Sequence, residues 1–224
     1  MPPRAKSVDL VRPPTGKGEA TRARLLDVAV TAFGQHGFSG VTTRQIADEA
    51  GASLPTLNYY FGDKAGLYLA CAHEIADRYE RAMGDIAREV VAALRSPMDA
   101  EAARARLRVL FGALIEFLFA REDTKTWALF IQREIANPGP AYEVLYARVW
   151  MPGVEIAAVL IGRVMGLAEA TTDARVRAIL LISSLTGFSS GRQVATRVLD
   201  LPPPEHAAAV ARVVDEQIGL LGRS

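Results

Sequence analysis

The chain is 224 residues long and half of them are apolar, enough to bury a sizeable core in one or two domains. Its 26 Lys and Arg stand against 25 Asp and Glu, so a nonspecific polycation is excluded, and the single Cys71 excludes an internal disulfide and any two-cysteine metal site. The N-terminus MPPRAKSVDLVRPPTGKG lacks the apolar core of a signal peptide, and no uninterrupted apolar run approaches the roughly 20 residues of a membrane span. A cytoplasmic protein with no membrane association is therefore expected.

Residues 1–18 are rich in Pro, Gly, Lys and Arg and show no periodicity, which predicts a flexible basic arm. Arg4, Lys6, Arg12 and Lys17 suit a phosphate backbone or a minor groove, although a solubilising tail has the same composition. Over 19–36 a helix carries Leu25, Leu26, Ala29, Ala32 and Phe33 on one face, and Gly37 ends it. Phe38 and Val41 tuck the following loop under this helix. Residues 42–50 predict a short helix capped by Thr42 or Thr43 and stopped at Gly51, with Ile46, Ala47 and Ala50 inward. Ser53 then caps another helix, with Pro55 in its first turn, Leu57 and Phe61 inward, and Leu54, Thr56, Asn58, Tyr59 and Tyr60 outward.

Two short helices crossing at a Gly-containing turn form a helix-turn-helix, whose second helix fits the major groove of DNA. Thr56 and Asn58 suit base edges or phosphates, and Leu54 a thymine methyl. Thr42, Thr43 and Arg44 lie at a helix start, where free N–H groups and the dipole favour phosphate, and Tyr59, Tyr60 and Lys64 add further phosphate partners. An ordinary helical hairpin with the tyrosines in its core fits the same pattern. The charge is placed consistently with DNA: residues 1–64 hold eight basic and six acidic side chains, and the remainder 18 and 19.

The stretch AFGQHGFSGVTTRQIADEAGASLPTLNYYFGDKAGLY resembles the N-terminal DNA-binding domain of the TetR family of transcriptional regulators, with the likeness running from about Thr21 to Leu69. The resemblance implies an all-α protein: a three-helix head over 19–69, then a long helix into a helical effector-binding and dimerisation domain over 70–224. It also implies a homodimer on a double-stranded operator, a small-molecule effector, no cofactor and no enzymatic activity. Leu54 and Pro55 stand where many members carry Lys or Arg and Gly, so the bases read do not carry over.

Asp63 caps the long helix predicted over 64–94, with Leu67, Tyr68, Ala72, Ile75, Tyr79, Met83 and Ile86 at spacings of three and four. Further helices are predicted over 98–120 and 124–136, and a third over 141–165, broken or kinked at Pro152 and Gly153. The string FIQREIANPGPAYEVLYARVWMPGVEIAAVLIGRVMG resembles the CerR-type C-terminal domain of one TetR subgroup. An apolar-all-round helix over 173–188 predicts burial against more than one neighbour, and 205–221 predicts a last amphipathic helix. The resemblance assigns both to the dimer interface, and packing within one chain is the alternative.

Phe111, Phe119, Trp127, Phe130 and Trp150, with Arg133 for an anionic or carbonyl-bearing ligand, are the candidate pocket residues of the second domain. Three motifs point elsewhere. GFSSG at 187–191, followed by Asp200 and His206, fits the G-x-S-x-G hydrolase elbow but lacks a preceding strand. His73, Glu74 and Asp77 form H-E-x-x-D without the second histidine of a zinc helix, so no metal is expected. GKG at 16–18 lacks the spacing of a phosphate loop. A small helical enzyme or carrier that uses the C-terminal cavity is the alternative to the regulator.

Overall fold

The computed structural model describes residues 16–119 and 123–222, and Arg4, Lys6 and Arg12 of the predicted arm lie outside the described residues. The described residues are α-helical with no strand. The head comprises α1 (Gly16–His36), α2 (Thr43–Glu49) and α3 (Leu54–Phe61), and leads into the 30-residue α4 (Lys64–Ala93). Then come α5 (Ala100–Phe119), α6 (Asp123–Ala136), α7 (Tyr142–Leu145), a π-helical turn (Tyr146–Trp150), α8 (Met151–Val164), α9 (Thr172–Ser190), α10 (Arg192–Leu199) and α11 (Pro203–Leu220).

The head helices begin and end where local chemistry dictates. Thr42 accepts from the Gln45 backbone N–H while the Gln45 side chain accepts from the Thr42 N–H, a reciprocal capping box. Gly51 takes a φ of +61, and the Ala52 N–H reaches back to Ala47 O at 2.9 Å, so the chain reverses without leaving the last carbonyls bare. Ser53 caps α3 at the Thr56 N–H, and Asp63 caps α4 at the Gly66 N–H at 2.8 Å. Helix α1 begins at Gly16, so Lys17 of the predicted arm is helical.

Two hydrophobic cores form. The first joins α1, α2, α3 and the start of α4 to Trp127 and Phe130 of α6, Ala141, Leu145 and Val149. It therefore runs across the expected domain boundary at 69/70. The second joins the rest of α4 to α5, α8, α9 and α11. Tyr79 and Phe117, edge to face at 5.6 Å, pack against both.

The helix expected to be broken or kinked at Pro152 and Gly153 is not broken, since Tyr142–Val164 runs as one helical stretch, but it leaves α-helical geometry just before Pro152 in the π-helical turn Tyr146–Trp150. Pro152 has no N–H to give and its ring crowds the carbonyl four residues earlier. The turn before it widens instead, and the Met151 N–H bonds to Tyr146 O, five residues back. At 23 residues this stretch is long and apolar enough to cross a membrane, unlike the sequence expectation, but it carries Arg148, Glu155 and Arg163, and α8 packs against α5 and α9.

Helix α9 differs from expectation too. Ala174, Ala178, Leu185 and Ser189 are buried, but Val176, Ile179 and Leu180 face solvent in the single chain, with Leu180 65% exposed.

Candidate DNA-binding head and effector cavity

The predicted DNA-contact residues lie on α2, α3 and the first turn of α4. Arg44, Pro55, Asn58 and Tyr59 are exposed, Tyr59 by 70%. Thr43, Leu54, Thr56, Tyr60 and Lys64 are half-buried. Several have duties within the chain. The exposed Thr42 spends its hydroxyl on Gln45, and Thr56 shares a 2.7 Å hydrogen bond with Ser53. Tyr60 packs against the head core and lies edge to face with Tyr59 at 5.2 Å. The Lys64 ammonium sits 4.9 Å above the Phe38 ring, a cation–π contact that holds the charge beside the head.

Two arginines missed in the sequence belong to the same head. Arg24 donates to Ala50 O at 2.7 Å, tying α1 to the end of α2. The Arg22 guanidinium lies 5.6 Å over the Phe61 ring at the end of α3. Their positions on the first helix were visible, but their targets, tens of residues away, were not.

In the second domain an apolar cavity of about 80 Å³ lies at the seam between the two cores. Ile75, Trp127 and Val149 of its wall belong to the head core, whereas Met83, Phe111 and Leu118 belong to the other. Of the expected pocket residues, Phe111, Trp127 and Trp150 line it. The other three do not. Phe119 packs on Phe188 and under Arg192, and Phe130 is buried in the head core against Tyr68.

Arg133 is the third correction. Its Nε donates to Gly34 O at 2.8 Å and its Nη2 to Gln35 O at 2.6 Å, so this cation closes the C-terminus of α1. Helical spacing explains the change, because Ala128, Ile131, Gln132 and Ile135 turn one face of α6 to the cavity while Phe130, Arg133 and Glu134 turn another to the head. The buried Glu134 accepts from the Tyr68 hydroxyl at 2.7 Å and from the Gly139 N–H at 3.1 Å. Burial, and then Glu134, push the Tyr68 phenol pKa well up, so this hydroxyl remains a donor.

The π-helical turn makes a second link, between the cavity and α4. Val149 and Trp150 line the cavity, while Arg148 grips Glu80 through two hydrogen bonds of 2.8 Å and Asp77 through one of 2.7 Å, both on α4. The arginine holds the Glu80 carboxyl below its ordinary range.

The distracting motifs resolve structurally. Ser189 of GFSSG lies on α9 and donates to Leu118 O at 3.1 Å, Asp200 ends α10 in a left-handed conformation, and the fully buried His206 holds Leu201 O at 3.0 Å. No strand-to-helix elbow forms there. His73 and Asp77 contact Arg148, and Glu74 pairs with Arg78.

The comparisons agree with this architecture. Residues 25–71 match the bacterial regulatory proteins of the tetR family, and residues 103–223 match the C-terminal domain described for the HTH-type transcriptional dual regulator CecR. The HTH-type transcriptional dual regulator CecR of Shigella flexneri is 31% identical over 80% of this chain and 80% of its own. A TetR-like regulator from Rhodococcus sp. RHA1 superposes with a TM-score of 0.61 at 19% identity, covering 93% of this chain and 97% of that one. NalD, the secondary repressor of the MexAB-OprM multidrug efflux pump in Pseudomonas aeruginosa, superposes at 0.57 with 18% identity, covering 87% and 94%. Members of this family are DNA-binding regulators, typically ligand-responsive, and not enzymes. From the capped helix-turn-helix head to the C-terminal helices, the chain belongs to the TetR family of transcriptional regulators, with a CecR-type C-terminal domain.

Proposed function

We propose that this chain is a repressor that binds a pseudo-palindromic operator as a homodimer and is released by a small molecule entering the seam cavity. One observation carries the reading: the cavity wall and the head share α6, whose opposite faces meet a would-be ligand and the end of α1. At about 80 Å³ the cavity is well below the roughly 300 Å³ of an ordinary ligand site, so a larger effector displaces its walls. The walls that give are α6, which holds the end of α1, and the π-helical turn, which holds α4. The effector moves the equilibrium only by its difference in affinity for the two head positions.

The division is read as a head running from the start of α1 at Gly16 through residue 69 and an effector and dimerisation domain at 70–224, the arm expected at 1–18 giving its last three residues to α1. In the head, Arg44, Tyr59, Tyr60 and Lys64 set register through phosphates with Thr42 and Thr43 at the start of α2, while Leu54, Pro55, Thr56 and Asn58 face the bases. The dimer surface is the open apolar face of α9, at 173–188, with 205–221 of α11; α10 extends it through Val194 and Val198, 67% and 75% exposed. An activating role at some promoters is the second reading, favoured by the name "dual regulator" of the 31% identical relative.

The test is a fluorescence-anisotropy titration of the full chain against DNA flanking its own gene, at two salt concentrations, with unrelated DNA as control. Specific binding that weakens with salt is expected, and binding to neither DNA even at low salt overturns the reading. Lys64→Ala should weaken binding to all sequences and flatten the salt dependence by about one unit of slope, whereas replacing Asn58 should change preference at one base position. A promoter fusion then gives the sign of regulation.

A further inference from the structure

The chemistry of the seam cavity restricts what enters it. Among the described residues its lining holds no Asp, Glu, Lys, Arg or His. A charge placed there loses its hydration with no partner among the described residues to replace it. The wall is otherwise aliphatic and aromatic, the latter including the indole N–H groups of Trp127 and Trp150, and the side chains of Gln132, Thr186 and Tyr79 interrupt it. Gln132 already donates to the Ser190 hydroxyl, and Thr186 donates to Ser183 O at 3.1 Å. Tyr79 differs: its hydroxyl makes no hydrogen bond to any described residue.

The Tyr79 ring is fixed by its edge-to-face contact with Phe117, which aims the hydroxyl at Gly153 in the same wall. A Cβ at Gly153 would stand 3.3 Å from that oxygen, so the glycine leaves the hydroxyl room. Burial raises the phenol pKa, which keeps the group protonated and a donor. An idle donor in an apolar wall costs free energy that an incoming acceptor recovers.

We propose that the cavity takes an uncharged, largely apolar compound whose one hydrogen-bond acceptor, a carbonyl or ether oxygen, is received by the Tyr79 hydroxyl. This rests on the reading of the cavity as the effector site. It excludes carboxylates, phosphates and ammonium compounds as effectors, and it ranks neutral compounds by whether they carry an acceptor.

Both tryptophans of the chain, Trp127 and Trp150, line the cavity, so intrinsic fluorescence reports on it directly. The full chain is titrated with four single-ring probes, acetophenone, benzoate, benzylammonium and ethylbenzene, following tryptophan emission and melting temperature. Acetophenone should bind at least tenfold more tightly than either ion and more tightly than ethylbenzene, on the order of one net hydrogen bond. In Tyr79→Phe the advantage of acetophenone over ethylbenzene should vanish. Gly153→Ala, which crowds the hydroxyl, is the second variant if the first fails to fold, and it should narrow the same gap. Equal binding of an ion, a ketone preference that survives in both variants, or no response to any probe overturns the proposal. If the probes fail while salt-dependent operator binding persists, the ligand class is wrong and the regulator stands; if DNA binding fails, the regulator falls regardless of the probes.

Discussion

Arg133 shows how one side chain can join two parts of a protein. Its guanidinium closes the carbonyl end of α1 from a helix whose other face lines the cavity. Arg133→Ala should cost about 1 kcal/mol in denaturant unfolding, since the residue is largely exposed, and should alter effector response more than operator affinity. Anisotropy with and without effector separates the two. Tyr68→Phe leaves the buried Glu134 without its hydroxyl donor and should cost about 1 to 3 kcal/mol in the same unfolding experiment. These pairings were not legible in the sequence. Arg133 stood beside an apolar stripe and suited a ligand, but its partners lie 98 and 99 positions away, and periodicity carries no information at that separation. The outward positions of α2 and α3 were legible because caps, a glycine turn and inward apolar positions are all local.

Element boundaries were read well wherever a cap sets them. Thr42, Ser53 and Asp63 each start the helix that their short polar side chains predict. Pro152 marked the right place for an irregularity, but not its form: the preceding turn absorbs the proline by widening, without a break in the helix. That turn presents Arg148 to α4, and its link is sensitive to acid. Glu80 has a depressed pKa in the folded chain, so its contribution is present above the ordinary carboxylate value of 4.5 and is lost as pH falls through the folded value. Arg148→Gln should therefore make melting temperature fall less steeply with acidification through the carboxylate range. An identical pH profile in the variant would show that the cluster contributes nothing.

For the whole molecule, the apolar residues left open on α9, α10 and α11 are the largest departure from a self-sufficient single chain. Leu180→Glu or Val198→Glu should shift the protein from dimer to monomer in sedimentation. Operator affinity should then fall at least tenfold, because a palindrome gains its strength from two linked heads. The apolar character of α9 was legible, but whether its second face meets the same chain or another copy is not a property of one helix.

The head core reaches past α4 to Trp127, Phe130 and Leu145. Recognition and sensing are thus not separable cassettes. A fragment ending near residue 69 would bare the ring of Tyr68 and the flank of α1, and should aggregate or melt far below the full chain. Grafting this head onto a relative's sensor requires transplanting the inner face of α6 with it.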